Sequence, residues 1–283
     1  MITLYALVAA AALAPSPTAP AIRPLSARVS WLEGSSCNVV IVQGKTTLLL
    51  IDDQRARDYE ETRRALDQVY HLPVAEVVNT HWHLDHAGGN QMFAASGAVI
   101  VAHANVRKRL AEPQYMSAYK QLLPPQLGAL PGKTYRTSRT LSFDGETLTL
   151  VHVAHAHTDG DTIVKVVDAN VIHMGDLFFN GMFPFIDLDS GGSIHGVIHS
   201  LDVALRNSDG RTTIVPGHGP LATRADLVAY RTMLLHVAAE VQRQIALGHD
   251  LGVIVGSKPA AAYKLEGDDD QFVAAVYAGY KRR

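Results

Sequence analysis

With 283 residues, 47% of them hydrophobic, the chain can bury a substantial core in one large α/β domain, and two domains would also fit. Its 25 Lys and Arg against 27 Asp and Glu give a formal net charge of −2, which argues against a broad electrostatic platform for nucleic acid or anionic membrane. The lone Cys37 rules out an internal disulfide.

The opening stretch MITLYALVAAAALAPSPTAPA reads as an export leader. Leu4 to Ala14 form a short apolar run, small residues and prolines follow, and removal of residues 1–21 by cleavage within Ala14–Ala21 is expected. No Lys or Arg precedes the run, which departs from the usual pattern. The run is too short for a comfortable bilayer span, so the expected location is the periplasm without stable membrane insertion. Residues 22–283 are expected to form one domain with a helical extension from about 224 to 283.

NVVIVQGKTTLLLIDDQ then predicts two strands joined at Gln43–Lys45, the second buried and ending at Asp52. Arg57 to Leu72 has helical spacing and is stopped by Pro73. VAEVVN predicts a short strand, a helix follows from about Asn90, and AVIVAH predicts another strand. Residues 113–135 contain Tyr115, Met116, Tyr119, Leu122 and Leu123 before Pro124–Pro125, and fit either a lid over an apolar substrate or a helix packed on the body. TLSFDGETLTLVHV predicts a hairpin turning at Asp144–Gly145. Two strands meeting at Asp168–Asn170, a helix over SIHGVIHSLDVALRN, a strand in TTIVPGH and helices from about Arg224 to Leu247 and Asp268 to Tyr280 complete the chain. Strands alternating with helices imply helices packed on sheet, with ligands gathering beyond the carboxyl ends of strands.

One such end carries NTHWHLDHAGGN. His81 and His83 could both reach one metal ion, while Asp85 and His86 could face a second. One loop cannot fill two coordination shells, so further ligands are expected at other strand ends. His157 in AHAHTDGD, Asp176 in HMGDLFF and His218 in VPGHGP each follow an apolar strand and sit beside Gly or Thr.

With these residues in view, HWHLDH resembles the H-x-H-x-D-H signature of the metallo-β-lactamase superfamily, and His157, Asp176 and His218 fall in that superfamily's order over roughly residues 30–225. The resemblance implies a four-layer αβ/βα sandwich and a first metal held by His81, His83 and His157. It implies a second held by Asp85, His86 and His218, with Asp176 bridging. Asp52 matches an acidic residue that supports the ligands from behind. The implied cofactor is a pair of zinc ions, with iron and manganese left open. Ions of this kind acidify a shared water for attack on a carbonyl, with Asp85 a plausible acceptor of its proton. His157 is preferred to His155 because HTDGD matches the superfamily's His-Thr motif. His103, His152, His173, His195 and His199 read as packing or surface residues, and Trp82 as packing beneath the metals.

The expected partner is therefore a small-molecule ester, lactone, thioester or amide, with no nucleic acid, and the placement is an exported member of unsettled substrate. A β-lactamase is the alternative reading. Against it, some β-lactamases of the group place a cysteine where Asp176 stands and a lysine where this chain has Phe179. An iron-dependent redox enzyme is a second alternative, disfavoured by Leu84–Asp85 where the diiron oxygen-reducing kind usually carries a glutamate. Phe178, Phe179, Phe183 and Phe185 are candidates to line an apolar substrate pocket.

Overall fold

A computed structural model describes residues 21–281, so the leader, apart from Ala21, lies outside the described residues. In chain order the first half runs β1 (Ile22–Pro24), β2 (Val29–Glu33), β3 (Asn38–Gln43), β4 (Leu48–Ile51), α1 (Tyr59–Val69) and β5 (Val74–Val78). It continues through α2 (Leu84–Ala87), α3 (Asn90–Ala95), β6 (Val99–His103), α4 (Ala104–Ala111), β7 (Gln114–Met116), β8 (Gln121–Leu123) and β9 (Lys133–Tyr135). The second half has β10 (Ser138–Phe143), β11 (Glu146–His152), β12 (Thr162–Val166), β13 (Val171–His173), α5 (Ile194–Arg206) and β14 (Thr213–Val215). Helices α6 (Arg224–Ala246), α7 (Leu251–Gly256) and α8 (Asp269–Lys281) follow.

Seven strands form one mixed sheet in the order β1-β2-β3-β4-β5-β6-β9, and five form a second in the order β10-β11-β12-β13-β14. In the first sheet β3 and β4 are buried along their apolar lengths, and the period-two alternation of a strand divides them between two cores. Val40, Val42, Leu49 and Ile51 meet Leu148, Leu150, Val164 and Val166 of the second sheet. Val39, Ile41, Leu48 and Leu50 face the other way, onto Ala65 and Leu66 of α1 and Phe93 of α3. Beyond the second sheet, Ile163, Ile172 and Ile214 pack on Val197 and Leu201 of α5, Leu234 of α6 and Phe272 of α8. The layers therefore run helix, sheet, sheet, helix, the αβ/βα sandwich expected.

The hairpin turn at Asp144–Gly145 has positive φ at both residues, as a tight two-residue connection requires. Residues 113–135 contain no α-helix, only single 3-10 turns at Ser117–Tyr119 and Leu127–Ala129. Gln114 to Leu123 form the separate two-stranded ribbon β7–β8, closed by Lys120 in the left-handed region at φ 50°, and β9 joins the first sheet, so the packed-helix alternative is corrected. Strands β1, β2 and β9 and helices α2, α4 and α7 add to the predicted elements. Among the described residues no helix is long and apolar enough to cross a membrane.

Candidate metal centre

The carboxyl ends of β4, β5, β13 and β14, with the loop between β11 and β12, converge at one end of the two sheets. After β5 the chain turns through the histidine-rich stretch, whose two ends are clamped together. Asn79 Nδ2 donates to Asn90 Oδ1 at 3.0 Å, and Asn90 Nδ2 returns a bond to Asn79 Oδ1 at 2.9 Å. Two groups of potential ligands result: His81, His83, His157 and Asp176, all buried, and Asp85, His86 and His218 beside them.

Asp176, in the short turn after β13, stands between the groups. Its Oδ2 lies 3.8 Å from His81 Nε2 and 3.5 Å from His157 Nε2. Its Oδ1 lies 3.0 Å from His86 Nε2 and 3.3 Å from His218 Nε2. Asp85 Oδ2 approaches His218 Nε2 at 3.4 Å.

The opposite nitrogens of four imidazoles are held from behind. His86 Nδ1 donates to Asp52 Oδ2 at 2.8 Å. Asp52, fully buried, also accepts the Thr80 N–H at 2.7 Å and the Thr80 hydroxyl at 2.8 Å, and His81 Nδ1 lies 3.0 Å from that hydroxyl. His157 Nδ1 donates to the Phe185 carbonyl at 2.7 Å, and His83 Nε2 donates to Asp187 Oδ2 at 3.0 Å. Such partners fix the tautomer and ring plane, leaving the other nitrogen's lone pair for a metal.

That hydrogen bonding tests whether cations belong here. With the protons of His83 and His157 committed outward, His83 Nδ1 and His157 Nε2 face each other at 2.9 Å with two lone pairs, an arrangement a cation between them resolves. His81 Nε2 and Asp176 Oδ1 are buried without a hydrogen-bond partner, which is costly unless something else satisfies them. Burial keeps His81 well below the usual imidazole range and lowers His157 to about 4, so both are neutral donors. Burial would also lower His218, but the Asp176 carboxylate beside it raises it to about 9. The donor set of five imidazoles and two carboxylates fits two borderline cations.

His155, the rival to His157, sits exposed near the Gly191 carbonyl, away from the cluster. His103 and His152 stack on each other 3.6 Å apart, His173 is buried against the Asn38 carbonyl, and His195 packs on Tyr280. Trp82 is buried against His83 and donates to Ser190 Oγ at 3.1 Å, as packing beneath the cluster.

A cavity of about 760 Å³ opens over the cluster, within the range of small-molecule sites. Phe179 and Phe185 line it, and the Phe179 ring lies parallel to that of His218 at 5.4 Å. Phe178 and Phe183 do not. Phe178 is buried against Tyr230 and Phe183 against Phe272. The backbone at Phe178 is extended, so neighbouring side chains point to opposite sides, one into the core and the next into the cavity. The β7–β8 ribbon contributes Met116, Tyr119, Gln121 and Leu123 to the cavity wall. The ribbon is tethered by the Ser117 N–H, which donates to Asp189 Oδ2 at 2.6 Å.

Asp187 was not among the candidates read from the sequence. An aspartate in the aromatic stretch FPFIDLDS carries no ligand spacing, and only folding brings it to His83, 104 residues away. Its Oδ1 accepts the backbone N–H groups of Asp189 at 3.0 Å and Ser190 at 3.1 Å.

A sequence model of the metallo-beta-lactamase superfamily matches residues 32–218. An uncharacterised protein of Mycobacterium leprae is 30% identical over 200 residues, covering 66% of this chain and 88% of that protein. The 2,4-dinitroanisole O-demethylase subunit alpha of Nocardioides sp. is 27% identical across 56% of this chain and 46% of its own length. A hydroxyacylglutathione hydrolase of Polaromonas sp. is 25% identical across 57% and 54% respectively. The chain thus spans about half the length of these last two relatives. Among solved structures, a metallo-beta-lactamase from Pontibacter korlensis superposes with a TM-score of 0.64 at 19% identity, over 76% of this chain and 99% of its own. The sec-alkylsulfatase Pisa1 from Pseudomonas sp. superposes with a TM-score of 0.70 at 17% identity, over 92% and 50%. These last likenesses concern the fold alone.

Proposed function

The chain belongs to the metallo-beta-lactamase superfamily, and from that premise we propose that it is a dinuclear zinc-dependent hydrolase of a small ester, lactone, thioester or amide. The observation that carries this reading is the division of Asp176, one oxygen turned to His81 and His157 and the other to His86 and His218. A single carboxylate shared between two sets of imidazoles suits two adjacent cations.

In this reading His81, His83 and His157 hold one ion, Asp85, His86 and His218 hold the other, and Asp176 serves both. Ions bound there supply Lewis acidity and bring the pKa of a water towards neutrality. The remaining work falls to the chain. Burial holds His81 and His157 neutral, while Asp52 and Asp187 fix the tautomers of His86 and His83. Asp85 lines the cavity, where its carboxylate can accept the proton of an attacking water. Phe179, Met182 and Phe185 keep bulk water from the reacting carbonyl and provide an apolar seat.

The test pairs metal analysis of protein purified without its leader with turnover of an ester, a lactone, a thioester and a β-lactam. The named activity of the Polaromonas relative makes a thioester the first to try. Two zinc ions per chain and turnover of at least one acyl class are expected, lost in His83→Ala and Asp176→Ala proteins that still fold. Iron in place of zinc with no acyl turnover would refute the proposal.

A further inference from the structure

We propose that Arg55 anchors a carboxylate on the substrate, so that the site selects acyl compounds with an apolar body and a singly charged anionic tail. This rests on the acyl-hydrolase reading above and names the kind of substrate it takes.

Arg55 stands just beyond β4, three residues after Asp52, and lines the cavity mouth. Its backbone is fixed on both sides: the N–H donates to Ser36 Oγ at 3.2 Å, and the carbonyl accepts the Asp58 N–H at 2.9 Å. Its guanidinium makes no hydrogen bond or ion pair with any described residue. The other cation at the mouth, Arg57, lies 3.7 Å from Asp58. Arginines without a side-chain partner occur elsewhere on the surface, but Arg55 is one that lines the cavity. An unmatched guanidinium in a cavity whose apolar wall is Phe179, Met182, Phe185 and Leu123 supplies a planar five-donor fork that a carboxylate can meet in two bonds. Tyr119 lines the same cavity as Arg55.

The sign and size of the tail's charge follow from Arg55: one guanidinium carries one positive charge, and a carboxylate with one negative charge meets it in a planar two-bond fork. The distribution of lining residues sets the order of parts: a reacting carbonyl at the histidine cluster, an apolar segment along the phenylalanines, and the carboxylate at the mouth.

The test compares para-nitrophenyl hydrogen adipate with its neutral methyl ester in the wild-type enzyme and in the Arg55→Ala, Arg55→Lys and Arg57→Ala variants. The wild type is expected to favour the charged ester. In Arg55→Ala the charged-to-neutral ratio of kcat/KM falls about tenfold, chiefly through KM of the charged ester, and Arg55→Lys recovers part of the loss. An unchanged ratio in Arg55→Ala, or an equal fall in Arg57→Ala, overturns the assignment. If no variant turns over either ester, the hydrolase reading fails separately. The anchor is then judged by calorimetric titration of phenylacetate and phenylacetamide into metal-loaded protein. Tighter binding of the anion that is lost in Arg55→Ala supports it, and equal loss or no loss for both ligands overturns it.

Discussion

Replacing Asp187 by Asn changes one atom and should disturb the cluster more than its isosteric shape suggests. Oδ1 of Asp187 takes two backbone N–H groups, from Asp189 and Ser190, so an asparagine carbonyl is drawn to that side. The amide NH2 then faces His83 Nε2, which in the wild type donates to Oδ2 at 3.0 Å. Two donors cannot share that bond. His83 escapes by moving its proton to Nδ1, the nitrogen that faces His157 and is needed as a ligand. Partners of this kind behind a ligating imidazole are worth about 10–100-fold in metal affinity or activity, or about 1.4–2.7 kcal/mol. In zinc-loaded protein, competition with a chromophoric chelator should show that loss at one of the two proposed metal sites, with circular dichroism unchanged. Equal affinity of Asp187→Asn and wild type at both sites would refute the tautomer argument.

Three further outcomes follow from the same geometry. Asp52→Ala removes the acceptor for the Thr80 N–H, the Thr80 hydroxyl and His86 Nδ1, and should cost roughly 3–5 kcal/mol in chemical denaturation. Asp52→Asn should cost less, because it keeps one acceptor and tolerates φ 64° better than alanine. Gly217→Ala drives a Cβ into Asp176 Oδ1 and to 2.8 Å from the Gly175 carbonyl carbon, so zinc content should fall well below two per chain by elemental analysis. The stacked pair His103 and His152 gives an acid-sensitive element, since burial lowers both imidazoles below their ordinary value and a charge on His152 further disfavours one on His103. With the folded pKa below the unfolded one, the folded state binds fewer protons, so stability is full above about pH 6.5 and declines as pH falls below it. Thermal melting across that range should be flatter in His152→Phe, and an unaltered slope would exclude the pair as its source.

The cluster of candidate ligands was legible because its members sit where the chain turns after apolar strands, and spacing alone brought His81, His83, Asp85 and His86 into one stretch. His157, Asp176 and His218 could be placed only through their order along the chain, and the structure gathers all seven. Legibility failed where contact depends on the fold rather than on local pattern. Asp187 reaches His83 across 104 positions. The phenylalanines looked equivalent in a row, yet extended backbone sends Phe178 to the core and Phe179 to the cavity. In residues 113–135 the apolar positions were compatible with a helix face, but Lys120 in the left-handed region closes a ribbon instead.

The β7–β8 ribbon strand-pairs with itself, outside both large sheets, and is anchored by Gln114 on Arg109, by Met116 beside Trp82 and by the Ser117 N–H on the Asp189 carboxylate. The loop it touches is committed several times over. Phe185 holds His157, Asp187 holds His83, and Ser190 holds Trp82. The two segments therefore differ in how freely they can be rewritten. The loop admits little change without detuning the candidate ligands, whereas the ribbon beyond its buried Gln114 and Met116, where Tyr115 and Leu122 are exposed, can be rewritten at little expense to the sandwich. New specificities, arising in nature or in the laboratory, should come first through the ribbon, as interchangeable fittings on a fixed reaction chamber.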